Sequence, residues 1–189
     1  IEHFFTKPNY LKIDGKPVFM IYCYQRFIED LGGIEEAFET VGMMKQACRD
    51  AGFEGMVLLA EHHLPVDREL PEPKAAGFDI ITSYHWPSFA KTGSPADYAD
   101  PVKIKAMQRT CWSGLGEISG LPAITTVTMG WDSKPWGSSY SSLAWKLGPE
   151  DFKELCRDAA EFLSHQPEHT ISSRMVLFDN WNEYGEGHY

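Results

Sequence analysis

The chain has 189 residues, 43% of them hydrophobic, with a formal net charge of -10 and a pI of about 5.1. That acidity makes nucleic acid a poor partner, and no apolar run approaches the ~18 residues a membrane span needs. The length holds a sizeable core but falls short of the roughly 250 residues of a complete eight-unit α/β barrel.

The first residue is Ile1, with neither a start methionine nor a signal peptide, so the chain reads as a processed or excised piece. Pro17 to Tyr24 is a near-continuous apolar run after the turn Asp14-Gly15, the pattern of a buried strand. Ile34, Ala37, Phe38, Val41, Met44 and Cys48 then recur at helical spacing, with Gly52 as a stop. Gly55 to Glu61 is a second buried strand. His62 to Ala76 carries three prolines and reads as a loop, and Phe78 to Tyr84 is a third strand. Asp100-Pro101 announces a helix with Asp as N-cap; its apolar stripe is Ile104, Met107, Cys111, Leu115 and Ile118. Pro122 to Met129 is a fourth strand, rich in β-branched residues. A long loop covers Gly130 to Gly148. Pro149 opens a helix with Phe152, Leu155, Cys156, Ala159 and Leu163 on one face, and Arg174 to Trp181 is the fifth strand.

Buried strands that alternate with helices, without hairpin signals, predict a parallel α/β sheet with right-handed crossovers. Five strands leave about 38 residues for each, against roughly 31 in a barrel of typical size. The expectation is a TIM-type (β/α)8 barrel of which this chain supplies about strands 4 to 8, as one catalytic domain lacking its first strands. A five-stranded doubly wound sheet is the alternative; no G-x-G-x-x-G or Walker loop supports a nucleotide there. No cofactor or metal is implied. Cys23, Cys48, Cys111 and Cys156 are isolated, form no C-x-x-C pair, and read as free core thiols.

In such folds the functional groups gather at the carboxyl ends of the strands. Those ends carry Tyr22, Tyr24, Gln25 and Arg26; Glu61, His62 and His63; Tyr84, His85 and Trp86; Trp131 and Asp132. They close with Trp181, Asn182, Glu183, Tyr184 and Glu186, while Trp136, Tyr140 and Trp145 lie in the loop after the fourth strand. Only Trp112 of the six tryptophans falls elsewhere. Flat aromatics beside carboxylates, amides and imidazoles suit a sugar, which offers C–H faces and hydroxyl edges. Trp131 and Trp181 could instead pack at the barrel mouth. Trp136 and Trp145, in a Gly/Ser-rich stretch, are better ligand candidates. A metal site on Glu61-His62-His63 ranks last, because adjacent strand residues face opposite ways.

The densest signal is Asn180-Trp181-Asn182-Glu183-Tyr184-Gly185-Glu186-Gly187. On an extended strand, residues three apart point to opposite faces. If Gly185 and Gly187 permit a turn, the two carboxylates can share one cavity, and each then raises the other's proton affinity. Ordinary solvated loop charges are the competing interpretation of the same two residues.

NWNEYGEG resembles the W-N-E-[WY]-x-E-G signature of glycoside hydrolase family 99-like proteins. Pro8-Asn9-Tyr10 with Asp14-Gly15-Lys16-Pro17-Val18, Gly77-Phe78-Asp79 through Tyr84, and Thr128 through Trp136 resemble further motifs of that family, in the same order. The resemblance implies an eight-stranded barrel and a glycosidase acting on an α-linked glycan, mannose-containing in the family's type member. It implies retention, with the substrate's own 2-hydroxyl as nucleophile, an exception to the usual two-carboxylate scheme. Glu183 would then be the base for that hydroxyl and Glu186 the general acid, then base. Tyr84, His85, Trp86, Trp131, Asp132, Trp136, Trp181, Asn182 and Tyr184 form the expected glycan-binding set. The resemblance also takes in relatives from surface-polysaccharide assembly that are labelled glycosyltransferases, and it alone favours an extracytoplasmic setting. A glycosyltransferase and a non-catalytic carbohydrate-binding protein are therefore the competing functions; no D-x-D motif supports a metal-bound sugar nucleotide.

Overall fold

A computed structural model describes residues 1–62, 72–84, 100–132, 134–136, 144–180, 185 and 187. These fall into two compact units. The first comprises the described parts of 1–62, 68–82 and 116–122, the second those of 83–115 and 123–189.

In the first unit, β1 (Lys12–Ile13) and β2 (Lys16–Ile21) form an antiparallel hairpin. Its two-residue turn has φ 49° at Asp14 and 73° at Gly15, the primed geometry that Asp-Gly favours. The Tyr10 hydroxyl donates to the Val18 carbonyl at 2.8 Å, and Phe5 packs against Tyr10, Phe19 and Phe53. β2 pairs in parallel with β3 (Val57–Glu61), and β3 with β4 (Ile80–Thr82). All five residues of β3 are buried, as a central strand requires.

The first strand stops earlier than its apolar run. Cys23 turns left-handed, φ 53°, and α1 (Tyr24–Leu31) begins at Tyr24. Continuous hydrophobicity cannot separate a buried strand from the buried start of a helix, so nothing in the run marked the break. α2 (Ile34–Asp50) follows, as its periodicity predicts, and Gly52 takes φ 89° just beyond its end. Its buried stripe is narrower than expected: Ala37, Val41 and Cys48 are buried, but Ile34 and Phe38 are exposed. A single turn of helix, α3 (Glu72–Ala75), interrupts the stretch read as loop.

The motif Gly77-Phe78-Asp79 finds a structural explanation here. Gly77 adopts φ 85°, and a Cβ there would press within 3.3 Å of Phe38 and Val41. Phe78 is buried edge-on to Tyr24 and Phe27. The Asp79 carboxylate accepts the Leu58 N–H at 2.8 Å and pairs with Lys45 at 2.7 Å. It therefore ties the start of β4 to the start of β3 and to α2.

α4 (Pro101–Ser119) begins as its capping sequence predicts, with the Val102 N–H donating to Asp100 Oδ1 at 2.9 Å. In the second unit, β5 (Thr125–Thr128) pairs in parallel with β8 (Val176–Asp179). Side chains of α4 satisfy the other edge of β5. Trp112 Nε1 donates to the Thr126 carbonyl at 2.8 Å. Gln108 donates to the Thr128 carbonyl and accepts the Thr128 N–H, both at 3.0 Å, copying a strand's two-bond pairing. α5 (Pro149–Ser164), opened by Pro149 as expected, packs on β5. Its Asp151 and Glu154 hold the buried Lys105 of α4 at 2.9 and 2.5 Å, and its Asp158 pairs with Arg109. α6 (Ile171–Arg174) leads into β8.

The stretch Gly130 to Gly148 is not a plain loop. β6 (Gly130–Asp132) and β7 (Ala144–Lys146) pair antiparallel, with Trp131 opposite Trp145. Trp145 is consequently buried, contrary to its expected place as a loop ligand. The hairpin was hidden because its two strands are only three residues each, too short to show alternation.

The five expected parallel strands are all present, in the sets β2-β3-β4 and β5-β8. The fold is thus mixed α/β. Among the described residues these sets do not close into a barrel. Cys48 and Cys111 are buried thiols, Cys23 and Cys156 half-buried ones, and none is bonded to another.

Candidate functional site

In the first unit the carboxyl end of β3 presents two buried polar side chains, Glu61 and His62. Glu61 Oε2 accepts the Cys23 N–H at 3.0 Å, which holds the left-handed residue between β2 and α1. Gln25, in the first turn of α1, donates its side-chain amide to His62 Nδ1 at 2.8 Å. That assignment leaves the imidazole proton on Nε2. Burial, then the neighbouring Glu61, pushes the Cys23 thiol up, so it stays protonated.

In the second unit, Ser83 and Tyr84 follow β4 in the chain. The Ser83 carbonyl accepts Thr126 Oγ1 at 2.6 Å, and the half-buried Tyr84 hydroxyl meets Asn180 Nδ2 at 3.4 Å. Asn180 is the residue directly after β8 and the first of the glutamate motif.

The far end of that motif is held by the hairpin. The Asp132 N–H donates to the Gly187 carbonyl at 2.7 Å. Gly187 has φ 88°, and a Cβ built there would overlap the Asp132 carbonyl. Glycine is required on both counts. Gly185, the other glycine of the motif, does not take a left-handed conformation. The Asp132 carboxylate is engaged locally: Oδ1 accepts the Lys134 N–H at 3.0 Å, and Oδ2 lies 3.3 Å from Lys134 Nζ. The backbone bond first, then the ammonium, hold the Asp132 carboxyl below its usual range. Trp131 beside it is half-buried, and Trp136 ends the 3-10 turn Lys134–Trp136.

Of the expected site residues, Tyr84, Trp131, Asp132 and Trp136 are therefore described, and Tyr84 and Asp132 touch the two ends of the motif. His85, Trp86, Trp181, Asn182, Glu183, Tyr184 and Glu186 lie outside the described residues. Sequence reasoning missed Lys134 as the partner of Asp132. Its signal was the spacing: an Asp two residues before a turn commonly caps that turn's N–H. No helix of the described residues is long and apolar enough to cross a membrane.

Two solved structures share the fold at low sequence identity. A glycoside hydrolase-like protein matches with a TM-score of 0.69 and 21% identity, over 97% of this chain and 49% of its own. The GH99 endo-alpha-mannosidase from Bacteroides thetaiotaomicron matches with a TM-score of 0.57 and 20% identity, over 99% of this chain and 50% of its own. The chain thus shares a mixed α/β fold with these two proteins. The sequence profile of the glycosyltransferase WbsX family matches residues 1–189, and the chain belongs to that family. It is also 22% identical to WxcX, an uncharacterized protein of Xanthomonas campestris pv. campestris, over 99% of this chain. The chain spans about half the length of the two solved structures and 26% of the length of WxcX.

Proposed function

We propose that this chain carries the acid/base pair of a retaining glycosidase acting on an α-linked glycan. One observation supports this most. The stretch bearing Glu183 and Glu186 starts at Asn180, in contact with Tyr84, and ends at Gly187, seated on Asp132. Six residues tethered at both ends in this way suit two carboxylates that must serve one substrate.

In the proposed reaction Glu183 takes the proton of the substrate's 2-hydroxyl as that oxygen attacks C1. Glu186 gives its proton to the departing glycosidic oxygen. Water, deprotonated by Glu186, then opens the 1,2-anhydro sugar at C1, and the 2-oxygen recovers a proton from Glu183. Two displacements return the original anomer. Tyr84, His85, Trp86, Trp131, Trp136, Trp181, Asn182 and Tyr184 would supply stacking faces and hydroxyl partners.

The proposal includes a single (β/α) barrel domain to which this chain contributes about strands four to eight. Phe19 and Met20 on β2 and Phe178 on β8 are exposed, although parallel strands are normally covered on both faces. Further strands or helices of a longer chain would cover them.

A second reading, glycosyl transfer from an activated sugar during polysaccharide synthesis, is favoured by the description of the WbsX family. Substituting Glu183→Gln and Glu186→Gln in the full-length protein, with glycan binding and turnover measured together, tests the first reading. Binding kept and turnover lost in both variants supports it; turnover kept in either removes that residue's role.

A further inference from the structure

We infer that Asp132 is a positioning residue, through which the β6–β7 hairpin fixes the main chain next to Glu186, and that its carboxylate does not bind the glycan. This rests on the reading of Glu186 as the general acid. Two aspects of one backbone contact carry the anchor, and a third observation concerns the carboxylate.

The first is the direct bond. Beyond the last hairpin pairing, of Asp132 with Ala144, the Asp132 N–H is given to the Gly187 carbonyl at 2.7 Å. The second is clearance. With φ 88° at Gly187 and no room for a Cβ against the Asp132 carbonyl, the two backbones are in contact and cannot close further. The third is that the carboxylate already has partners. Its two oxygens face the Lys134 N–H and the Lys134 ammonium, which stiffens the strand end and draws the group toward its own turn.

The hairpin itself is well rooted. The Leu147 N–H donates to the Met129 carbonyl at 2.8 Å, and the Trp145 side chain is 4% exposed. A rigid element therefore ends on the residue adjoining Glu186. Misplacement of a reacting group by ~1 Å costs on the order of 10²-fold in rate, so such an anchor would act on turnover and not on affinity.

The test uses the full-length protein, its glycan substrate and two variants. Gly187→Ala forces the backbones apart, and kcat should fall by about 10- to 100-fold while KM stays within about threefold. Asp132→Ala keeps the amide, and KM should likewise stay within about threefold. A KM rise of tenfold or more in Asp132→Ala would make Asp132 a glycan ligand and overturn the inference. So would unchanged kcat in Gly187→Ala. Hydrogen exchange at the Asp132 amide needs no activity. Protection in the wild type that is lost in Gly187→Ala supports the anchor, and a fast-exchanging wild-type amide overturns it. Should Gly187→Ala not fold, the Asp132→Ala KM and the wild-type exchange rate still decide. A wild-type protein that turns over no glycan would sink the acid/base reading while leaving the exchange result to judge the anchor alone.

Discussion

Two places among the described residues where an aspartate accompanies a left-handed glycine do different work. In the first unit Gly77 and Asp79 lie two residues apart on one segment, and Asp79 fastens β4 to β3 and α2. In the second unit Gly187 and Asp132 are distant in sequence, and their contact joins a hairpin to the segment bearing Glu186. The first contact holds elements that exist to pack. The second holds a segment whose carboxylates are proposed to react. Substitution should therefore reduce stability alone at the first and turnover as well at the second.

The largest effect should come at the segment the second contact holds. Glu183→Gln and Glu186→Gln should each lower kcat by roughly 10²- to 10⁴-fold, the usual loss for an acid/base group. Thermal melts of both variants should overlay the wild type. A melt displaced as far as the activity falls would turn these residues into structural ones and erase the contrast.

Asp79→Ala comes next. It strips the partner from the buried Leu58 N–H and releases Lys45, and should cost about 1–3 kcal/mol of stability. Urea unfolding should read that loss, while kcat per folded molecule is unchanged. A fall in kcat with stability intact would place Asp79 in the site.

Gly77→Ala should cost less, about 1–2 kcal/mol, for holding an L side chain in the left-handed region. The pressure on Phe38 and Val41 adds to this only if those side chains cannot shift. Calorimetry and kinetics on this variant and on Gly187→Ala would sharpen the comparison: both glycines are left-handed, so Tm should fall in both, while kcat per folded molecule should fall only in Gly187→Ala.

How much of this was legible in the sequence follows from what each device depends on. Chain-local chemistry was readable: Asp14-Gly15 marks a turn, although not the hairpin that β1 makes of it, Asp100-Pro101 caps α4, and the apolar runs mark all five parallel strands. The motif Gly77-Phe78-Asp79 was visible as a family pattern, but its role was not, since that role lies in Leu58 and Lys45, far away in the chain. Gln108 and Trp112 were unreadable for a related reason. A polar and an aromatic residue on a helix give no sign that they will complete the edge of a strand. The β6–β7 hairpin failed differently, because three-residue strands carry no periodicity. In the candidate site, glycine within NWNEYGEG suggested a turn, and Gly187 makes one; that its carbonyl meets Asp132 is a tertiary fact.

The smallest effect is a pH dependence. Asp132 has its carboxyl held low in the folded protein by the Lys134 N–H and ammonium. A folded pKa below the unfolded value contributes stability above the unfolded carboxylate range, lost as pH falls through the folded pKa. The 3-10 turn at Lys134–Trp136 should therefore loosen only in acid. Hydrogen exchange at the Lys134 amide, followed downward from neutral pH, should show protection held to mildly acidic pH and then lost. Protection that is flat through the whole acidic range would mean that the charge on Asp132 contributes nothing there.

The central claim is that Glu183 and Glu186 cleave a glycan. It is tested most directly by incubating the full-length protein with an α-linked mannan and following the anomeric protons by NMR as product forms. The account predicts new reducing ends that appear first as the α-anomer and are absent with Glu186→Gln. No cleavage of any α-glycan, together with sugar transfer from an activated donor to an acceptor chain, would contradict it and make the protein a transferase.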